Sequence, residues 1–250
     1  NAGFMPEGLP DFSDGFDVYA GWEITRKGDN SLTPEQNRLL AYGAPLFLYN
    51  DDNVDSLEST AGTDTLKEML EEWWEVTDRK SALETISWLL NEGQHAGADP
   101  ALTEIRQRGI EAITEEEKAD EDSKIGDAFT IAEFVMGVNE TTEADLPETV
   151  LAWDLVRAVN MARWAFICGY INEDEMWEAI RTTAGIAKES FNSWEEYGNS
   201  FAVGRGIWRG ETDDYETADE VVGALLNKED SPLEGNRMVE SEKNRINNIL

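Results

Sequence analysis

Apolar residues recur three and four positions apart along most of the chain, a spacing that places them on one face of an α-helix. One such stripe consists of Met176, Ile180, Thr183, Ala184, Ala187 and Phe191. No segment shows the alternation of period two that is typical of a β-strand. The pattern therefore predicts an all-α fold, a single globular domain of several helices.

Helix boundaries are predicted from prolines, glycines and capping residues. Four Ser, Thr or Asn residues precede a Glu by three positions, the spacing of a capping box: Thr65, Asn172, Ser193 and Thr217. Further helices are expected from Pro34 towards Tyr49 with a kink or end at Pro45, over about 79–92 between Asp78 and Gly93, from Asp99-Pro100, near 125–137, and from Pro147 to about Cys168.

The two ends of the chain differ in pattern. Residues 1–30 show no period, and we interpret them as an extended arm on a helical domain that covers 31–250 and has its core at about 147–210. The stretch 111–122 is so acidic that we expect it to be solvated. Asn1-Ala2 is interpreted as a cloning remnant, and the aromatic residues expected to hold the arm are Phe4, Phe12, Phe16, Tyr19 and Trp22.

Charge narrows the classes of partner. The 250 residues include 53 Asp and Glu but only 20 Lys and Arg, a formal net charge of −33. Such a surface repels phosphate backbones and anionic membranes, so we expect no nucleic-acid partner. A basic protein partner is electrostatically easier, but solubility alone also explains the charge. No membrane insertion is expected, because charged residues interrupt the most apolar segment, 150–168. The location is expected to be cytoplasmic or, if an export signal was removed upstream, extracytoplasmic.

Four polar residues interrupt the apolar helix that is predicted after Pro147. Asp154, Arg157, Asn160 and Arg163 follow one another at intervals of three, which predicts one polar stripe. Charges buried in a core need partners, so the stripe is expected to organise the core through ion pairs. Alternatively, it lines a cleft that binds a polar or anionic ligand.

Other candidate residues carry weaker signals. His95 is the only histidine and follows a predicted helix C-terminus, a place that suits a histidine without catalysis. Arg205 shares a helical face with Trp208. No metal site or cofactor is expected, because Cys168 is the only cysteine and no phosphate-binding glycine motif occurs. The tryptophans on predicted helices are expected in the core rather than on sugars: Trp73, Trp88, Trp153, Trp164, Trp177 and Trp208.

The segment 153–208 resembles the bacterial DUF1266 family. The resemblance implies an all-helical domain and no mechanism, and it draws attention to Asp154, Arg157, Arg163, Ser193 and Trp194. It rests on Trp153-Asp154-Leu155-Val156-Arg157, Ala162-Arg163-Trp164, Gly169-Tyr170-Ile171, Asn172-Glu173-Asp174-Glu175, Trp177, Phe191-Asn192-Ser193-Trp194 and Gly204-Arg205-Gly206-Ile207-Trp208.

Three functions are compatible with these observations. The leading hypothesis is a non-enzymatic binding or interaction module, because recognisable catalytic motifs are missing and the negative field is large. The alternative is a carboxylate-dependent, hydrolase-like enzyme with a cleft around Asp154, Arg157 and Arg163. A third is an acidic mimic of nucleic acid, which would require the acids to share one face.

Overall fold

The computed structural model describes residues 18–235 and residue 238, and these contain no β-strand. The predicted all-α fold is confirmed. Short 3₁₀ turns occur at Ala41–Gly43, Ile110–Ala112 and Glu143–Asp145. The α-helices are α1 (Pro34–Leu40), α2 (Ala44–Tyr49), α3 (Thr63–Trp74), α4 (Arg79–Asn91), α5 (His95–Arg108), α6 (Glu115–Lys118), α7 (Ile125–Asn139), α8 (Leu151–Ile167), α9 (Glu173–Ser190), α10 (Trp194–Arg209) and α11 (Thr212–Asn227).

Helix α8 lies at the centre of the fold. Every residue of 152–165 is buried, because α4, α9, α10 and α2 pack around this helix. A helix that is enclosed on all sides has no polar face towards water, so its charged residues must meet partners from other elements. The position of α8 therefore decides which parts of the chain meet its polar side chains.

Some of the predicted caps are present and others are not. Thr33, Asp78 and Asn172 accept hydrogen bonds from the first turns of α1, α4 and α9. Ser193 caps α10 through the Glu196 N–H, but the Glu196 carboxylate accepts from Asn192 instead of closing a box. The predicted starts at Thr65 and Thr217 were wrong, since both residues lie inside longer helices, α3 and α11.

Pro45 interrupts the first helix as predicted, whereas Pro100 and Pro147 do not start the helices that were assigned to them. Pro45 lies in the first turn of α2, after the 3₁₀ turn that ends α1. Pro100 lies inside α5, which begins five residues earlier because the Asp154 carboxylate accepts the N–H groups of Gln94 and His95. The start of α5 is therefore set by a side-chain acceptor from α8, and Pro100 is accommodated inside the helix.

Pro147 also lies outside the helix that it was predicted to start, since α8 begins at Leu151. The Asp99 carboxylate accepts the Val150 N–H at 2.8 Å and the Thr149 hydroxyl at 2.6 Å. These bonds hold the chain in a non-helical entry to α8. The start of this helix thus depends on a residue from α5 rather than on the local proline.

The described part of the predicted arm packs against helices α2 and α11. The Trp22 ring stacks on Tyr49 with 6.3 Å between centroids, and its indole N–H donates to Glu220. Tyr19 lies against Gly223 of α11. The other aromatic residues expected to hold the arm, Phe4, Phe12 and Phe16, and Asn1-Ala2 lie outside the described residues.

The acidic stretch 111–122 is largely exposed, as its composition indicates. It also contains the short helix α6, in which Thr114 and Glu117 form a capping box. Arg108 holds this helix against α5 through an ion pair with Glu117 at 2.6 Å. No helix of the described chain is long and apolar enough to cross a membrane.

Candidate functional site

The Asp154 carboxylate is wholly buried and accepts hydrogen bonds from two other residues and from its own helix. The backbone N–H groups of Gln94 and His95 donate to it at 3.0 and 2.8 Å. The Nδ1 atom of the His95 ring lies 2.7 Å from the same carboxylate, and Arg157 forms an ion pair with it from one turn along α8. A carboxylate at this position stabilises the positive end of the α5 dipole.

The charged groups of this network shift one another's pKa values. The hydrogen bond to Asp154 raises the pKa of His95 above its ordinary value, against a smaller opposing effect of burial. Burial lowers the pKa of Arg157, although Asp154 opposes the shift. His95 comes shortly after the end of α4 at Asn91, as expected, but it is also the first residue of α5, so its ring lies at a helix N-terminus. Asp154, Arg157 and His95 thus form one buried, charged network.

The other half of the predicted stripe faces elsewhere. The Asn160 side chain donates to the carbonyl oxygen of Gly43 at 3.1 Å. Arg163 donates to the carbonyl oxygen of Asn53 at 2.7 Å and forms an ion pair with Asp52. With 3.6 residues per turn, each step of three turns the row by about 60°, so three steps bring it about halfway round the helix. Asp154 and Arg157 therefore share one network, whereas Asn160 and Arg163 each contact a different part of the chain, and the four residues do not form one stripe.

A cleft of about 1210 Å³ opens between α3 and the α4, α8 and α10 side of the fold. Six of the nine tryptophans line it, among them Trp73, of which 77% is exposed. The expectation that the helical tryptophans lie in the core was wrong for Trp73, because α3 buries Leu66 and Leu70 on another face. It was also wrong for Trp88 and Trp208, which are exposed. The six are Trp73, Trp74, Trp88, Trp153, Trp164 and Trp208.

The cleft floor, which we define as Trp153, Arg157 and Arg205, alternates aromatic rings and guanidinium groups. The Cζ atoms of Arg157 and Arg205 lie 4.5 and 5.5 Å from the centroid of the Trp153 ring. Arg205 also lies 4.4 Å from the Tyr49 ring, donates to its hydroxyl at 3.0 Å and pairs with Asp214 at 3.1 Å. Cation–π contacts of this kind hold the side chains in place.

The rim of the cleft, which we define as Glu72, Trp73, Glu75, Glu84 and Trp88, combines acids with indoles. All five side chains come from α3, its C-terminal cap or α4, and all are exposed. Lys80 pairs with Glu84 at 3.7 Å. The rim is therefore acidic and aromatic, whereas the floor is cationic and aromatic.

Two sequence candidates lie away from the cleft. Ser193 caps α10, and Trp194 packs against the rings of Tyr42 and Tyr197, with centroids 4.9 and 5.7 Å apart. Neither residue lines the cleft. Structural roles therefore explain why both residues belong to the motif on which the resemblance rests: Ser193 starts α10, and Trp194 packs in an aromatic cluster.

Sequence reasoning missed several residues of the cleft: Trp74, Tyr49 and the rim acids. One signal was available: Trp73 and Trp74 are adjacent, so they project about 100° apart on a helix, and a narrow apolar face leaves one of them outside it. The contribution of Tyr49 had no such signal, because it depends on how α2 meets α10.

Among the described residues, no group of three or more His, Cys, Asp or Glu could hold a metal ion.

Comparison with known proteins identifies a family to which the chain is similar. The family model described as a protein of unknown function, DUF1266, matches residues 69–237, which is more than half of the chain and wider than the segment that shows the resemblance. No match to the chain was found among curated proteins or among solved structures. The matched range contains Asp154, Arg157, His95 and most of the cleft. The chain therefore belongs to the DUF1266 family.

Proposed function

We propose that this protein is a non-enzymatic binding module whose cleft holds a basic segment of a partner polypeptide. One observation carries the proposal: six tryptophans line a single cleft, and the Trp73 indole is largely exposed. Exposed tryptophans are disfavoured on a surface that has no partner, and tryptophan is enriched among the residues that dominate binding energy. The clustering therefore favours an interaction surface.

The charge of the rim supports a basic partner. Glu72, Glu75 and Glu84 line the same cleft as the indoles of Trp73 and Trp88, and the whole chain carries a formal charge of −33. A lysine or arginine side chain would meet carboxylates and the faces of aromatic rings there. The long-range negative field would also speed the encounter with a basic molecule.

The size of the cleft supports a polypeptide rather than a small metabolite. Pockets for small molecules typically enclose roughly 300–1,000 Å³, and this cleft exceeds that range with about 1210 Å³. Its walls come from α3, α4, α8 and α10 and from the loop before α3. An extended segment of several residues would contact all of these elements.

The contacts of Asp154 and Arg163 weigh against the hydrolase alternative. Of the three residues around which that alternative places its cleft, only Arg157 lines the cavity. The Asp154 carboxylate is committed to the start of α5, and Arg163 is wholly buried against Asp52 and Asn53. The two charges thus hold the start of α5 and the loop after α2 against α8, which supports binding over catalysis.

The proposal is tested with arrays of twelve-residue peptides that share their aromatic content and carry a net charge of +4, 0 or −4. We expect binding to the basic peptides and at least a tenfold loss of affinity on Trp73→Ala, with an unchanged melting temperature because the side chain is exposed. Val138→Ala, an exposed change on α7, is the matched control. Equal binding to the three charge classes would refute the proposal, and peptide cleavage detected by mass spectrometry would favour the hydrolase.

A further inference from the structure

Two buried hydrogen-bond donors of the cleft floor have no acceptor among the described residues. They are the indole N–H of Trp153, a residue that is only 3% exposed, and the Nε–H of Arg205. Nearly all buried polar groups in proteins are hydrogen-bonded, because an unpaired donor loses its hydration without compensation. The two donors belong to neighbouring residues that line one cleft, so a ligand acceptor that enters the floor between their side chains would satisfy both.

The chemistry of the floor defines that ligand atom. Indole and guanidinium nitrogens donate hydrogen bonds and accept none, so the bound group must be an acceptor. Arg157 and Arg205 both lie over the Trp153 ring, and the charge of Arg205 contributes to the lowered pKa of Arg157. Asp154 and Asp214 reach the Nη2 atoms of these arginines, which leaves the Nε–H of Arg205 unpaired. A negatively charged acceptor between the two arginines would relieve their repulsion.

We infer that the cleft floor is a carboxylate subsite, which binds the C-terminal carboxylate of the basic segment. The inference rests on the proposed function for the identity of the ligand. A basic segment has few acidic side chains, so the carboxylate that it brings to the floor is the chain terminus of a segment that ends the partner polypeptide. A chain end can also enter a recess that a continuing chain would have to cross, and its two oxygens can accept from the Trp153 indole and the Arg205 guanidinium together.

The test uses two lysine-rich peptides that differ only at the C-terminus, one a free carboxylate and the other an amide. Isothermal titration with the full chain is expected to show at least tenfold tighter binding of the free acid, the scale of a hydrogen bond to a charged group. Trp153→Phe keeps a ring and removes the N–H, so it should abolish this difference without weakening the amide peptide. Arg205→Lys, which keeps the charge and removes the Nε–H, should reduce the difference as well.

The matched control is Trp177→Phe, since Trp177 is equally buried but donates to Glu173 on α9, away from the cleft. This variant should leave the preference for the free acid intact. An amidated peptide that ends in glutamate separates a side-chain carboxylate from the chain terminus. If this peptide binds as tightly as the free-acid peptide, the assignment to the chain terminus is overturned and the carboxylate subsite stands.

The outcomes for the subsite and for the proposed function are distinguishable. If acid and amide peptides bind equally well, the carboxylate subsite is refuted while the basic partner stands. If neither binds, the basic partner is refuted, and the floor is then tested directly with N-acetylphenylalanine and its amide. A preference for that acid which Trp153→Phe removes would support the subsite alone, and no preference would overturn both.

Discussion

The ring of His95 and the carboxylate of Asp154 lie 2.7 Å apart, although 59 positions separate the two residues in the sequence. The contact joins the first residue of α5 to the buried centre of α8. Gly93 makes it possible, because its φ of +55° turns the chain around the carboxylate, and a Cβ atom there would collide with Asp154. The network thus joins two helices through one buried charge.

Removal of this charge should strongly destabilise the fold. Asp154→Ala leaves Arg157 buried without its carboxylate and the start of α5 without its acceptor, so we expect a loss of about 3–5 kcal/mol in the free energy of unfolding. Glu178→Ala, an exposed change in the middle of α9, should stay within about 0.5 kcal/mol. Urea titrations measure both changes. A loss below about 1 kcal/mol for Asp154→Ala would contradict the structural role.

His95 should make stability depend on pH in one direction. Its pKa is raised above 6.5 by Asp154, with Asp99 adding to the shift and Arg157 opposing it. The folded protein therefore binds this proton more tightly, and the contribution is fully present below about 6.5 and lost as pH rises through the folded-state pKa. Denaturation across this window should show a fall in the free energy of unfolding that His95→Gln lacks.

The same residue allows a direct measurement. Because His95 is the only histidine of the chain, proton NMR of the imidazole gives a titration without any assignment problem. A midpoint above 6.5 is expected, and one at or below that value would contradict the contact with Asp154.

Two glycines inside helices should respond oppositely to alanine. A Cβ atom on Gly204 would lie 2.6 Å from the Cβ atom of Trp153 and 3.2 Å from the Val150 carbonyl oxygen, so α8 and α10 would have to separate. We expect Gly204→Ala to cost about 1–3 kcal/mol. Gly185 in α9 faces open space, and Gly185→Ala should stabilise the protein by about 0.5–1 kcal/mol.

Thermal unfolding measures both glycine variants under one condition. If both alanines raised the melting temperature, the close approach of α8 and α10 would be wrong. If both lowered it, the open face of α9 at Gly185 would be wrong.

The second charged network is tested through Arg163. Arg163→Met leaves the buried carboxylate of Asp52 without its cation and should cost about 3–5 kcal/mol. Adding Asp52→Asn removes the uncompensated charge, while the amide oxygen can still accept from the N–H of Thr60, which now donates to Asp52 at 2.8 Å. The double variant should therefore be more stable than Arg163→Met alone, as a double-mutant cycle measures. Strictly additive losses would show that the pair is not coupled.

Local signals predicted much of the helical framework but less of the candidate site. Thr33, Asp78 and Asn172 cap helices where expected, because a cap depends on residues two or three positions away. Thr65 and Thr217 share the same local signal and lie inside helices instead. The stripe from Asp154 to Arg163 was predicted as one row, yet its turn around a fully enclosed helix sends the two ends to different partners.

The sequence by itself determined that the chain is helical, acidic and in need of partners for the charges of α8, since helical periodicity and the cost of burying charge act within a few residues. Only the tertiary structure decided that Asp154 meets His95, that Arg163 meets Asp52, and that six tryptophans line one cleft. These contacts depend on how distant helices pack. The same side chains could keep their helical periodicity and find partners for their charges in several different packings. The cleft that carries the proposed function is therefore a product of tertiary packing.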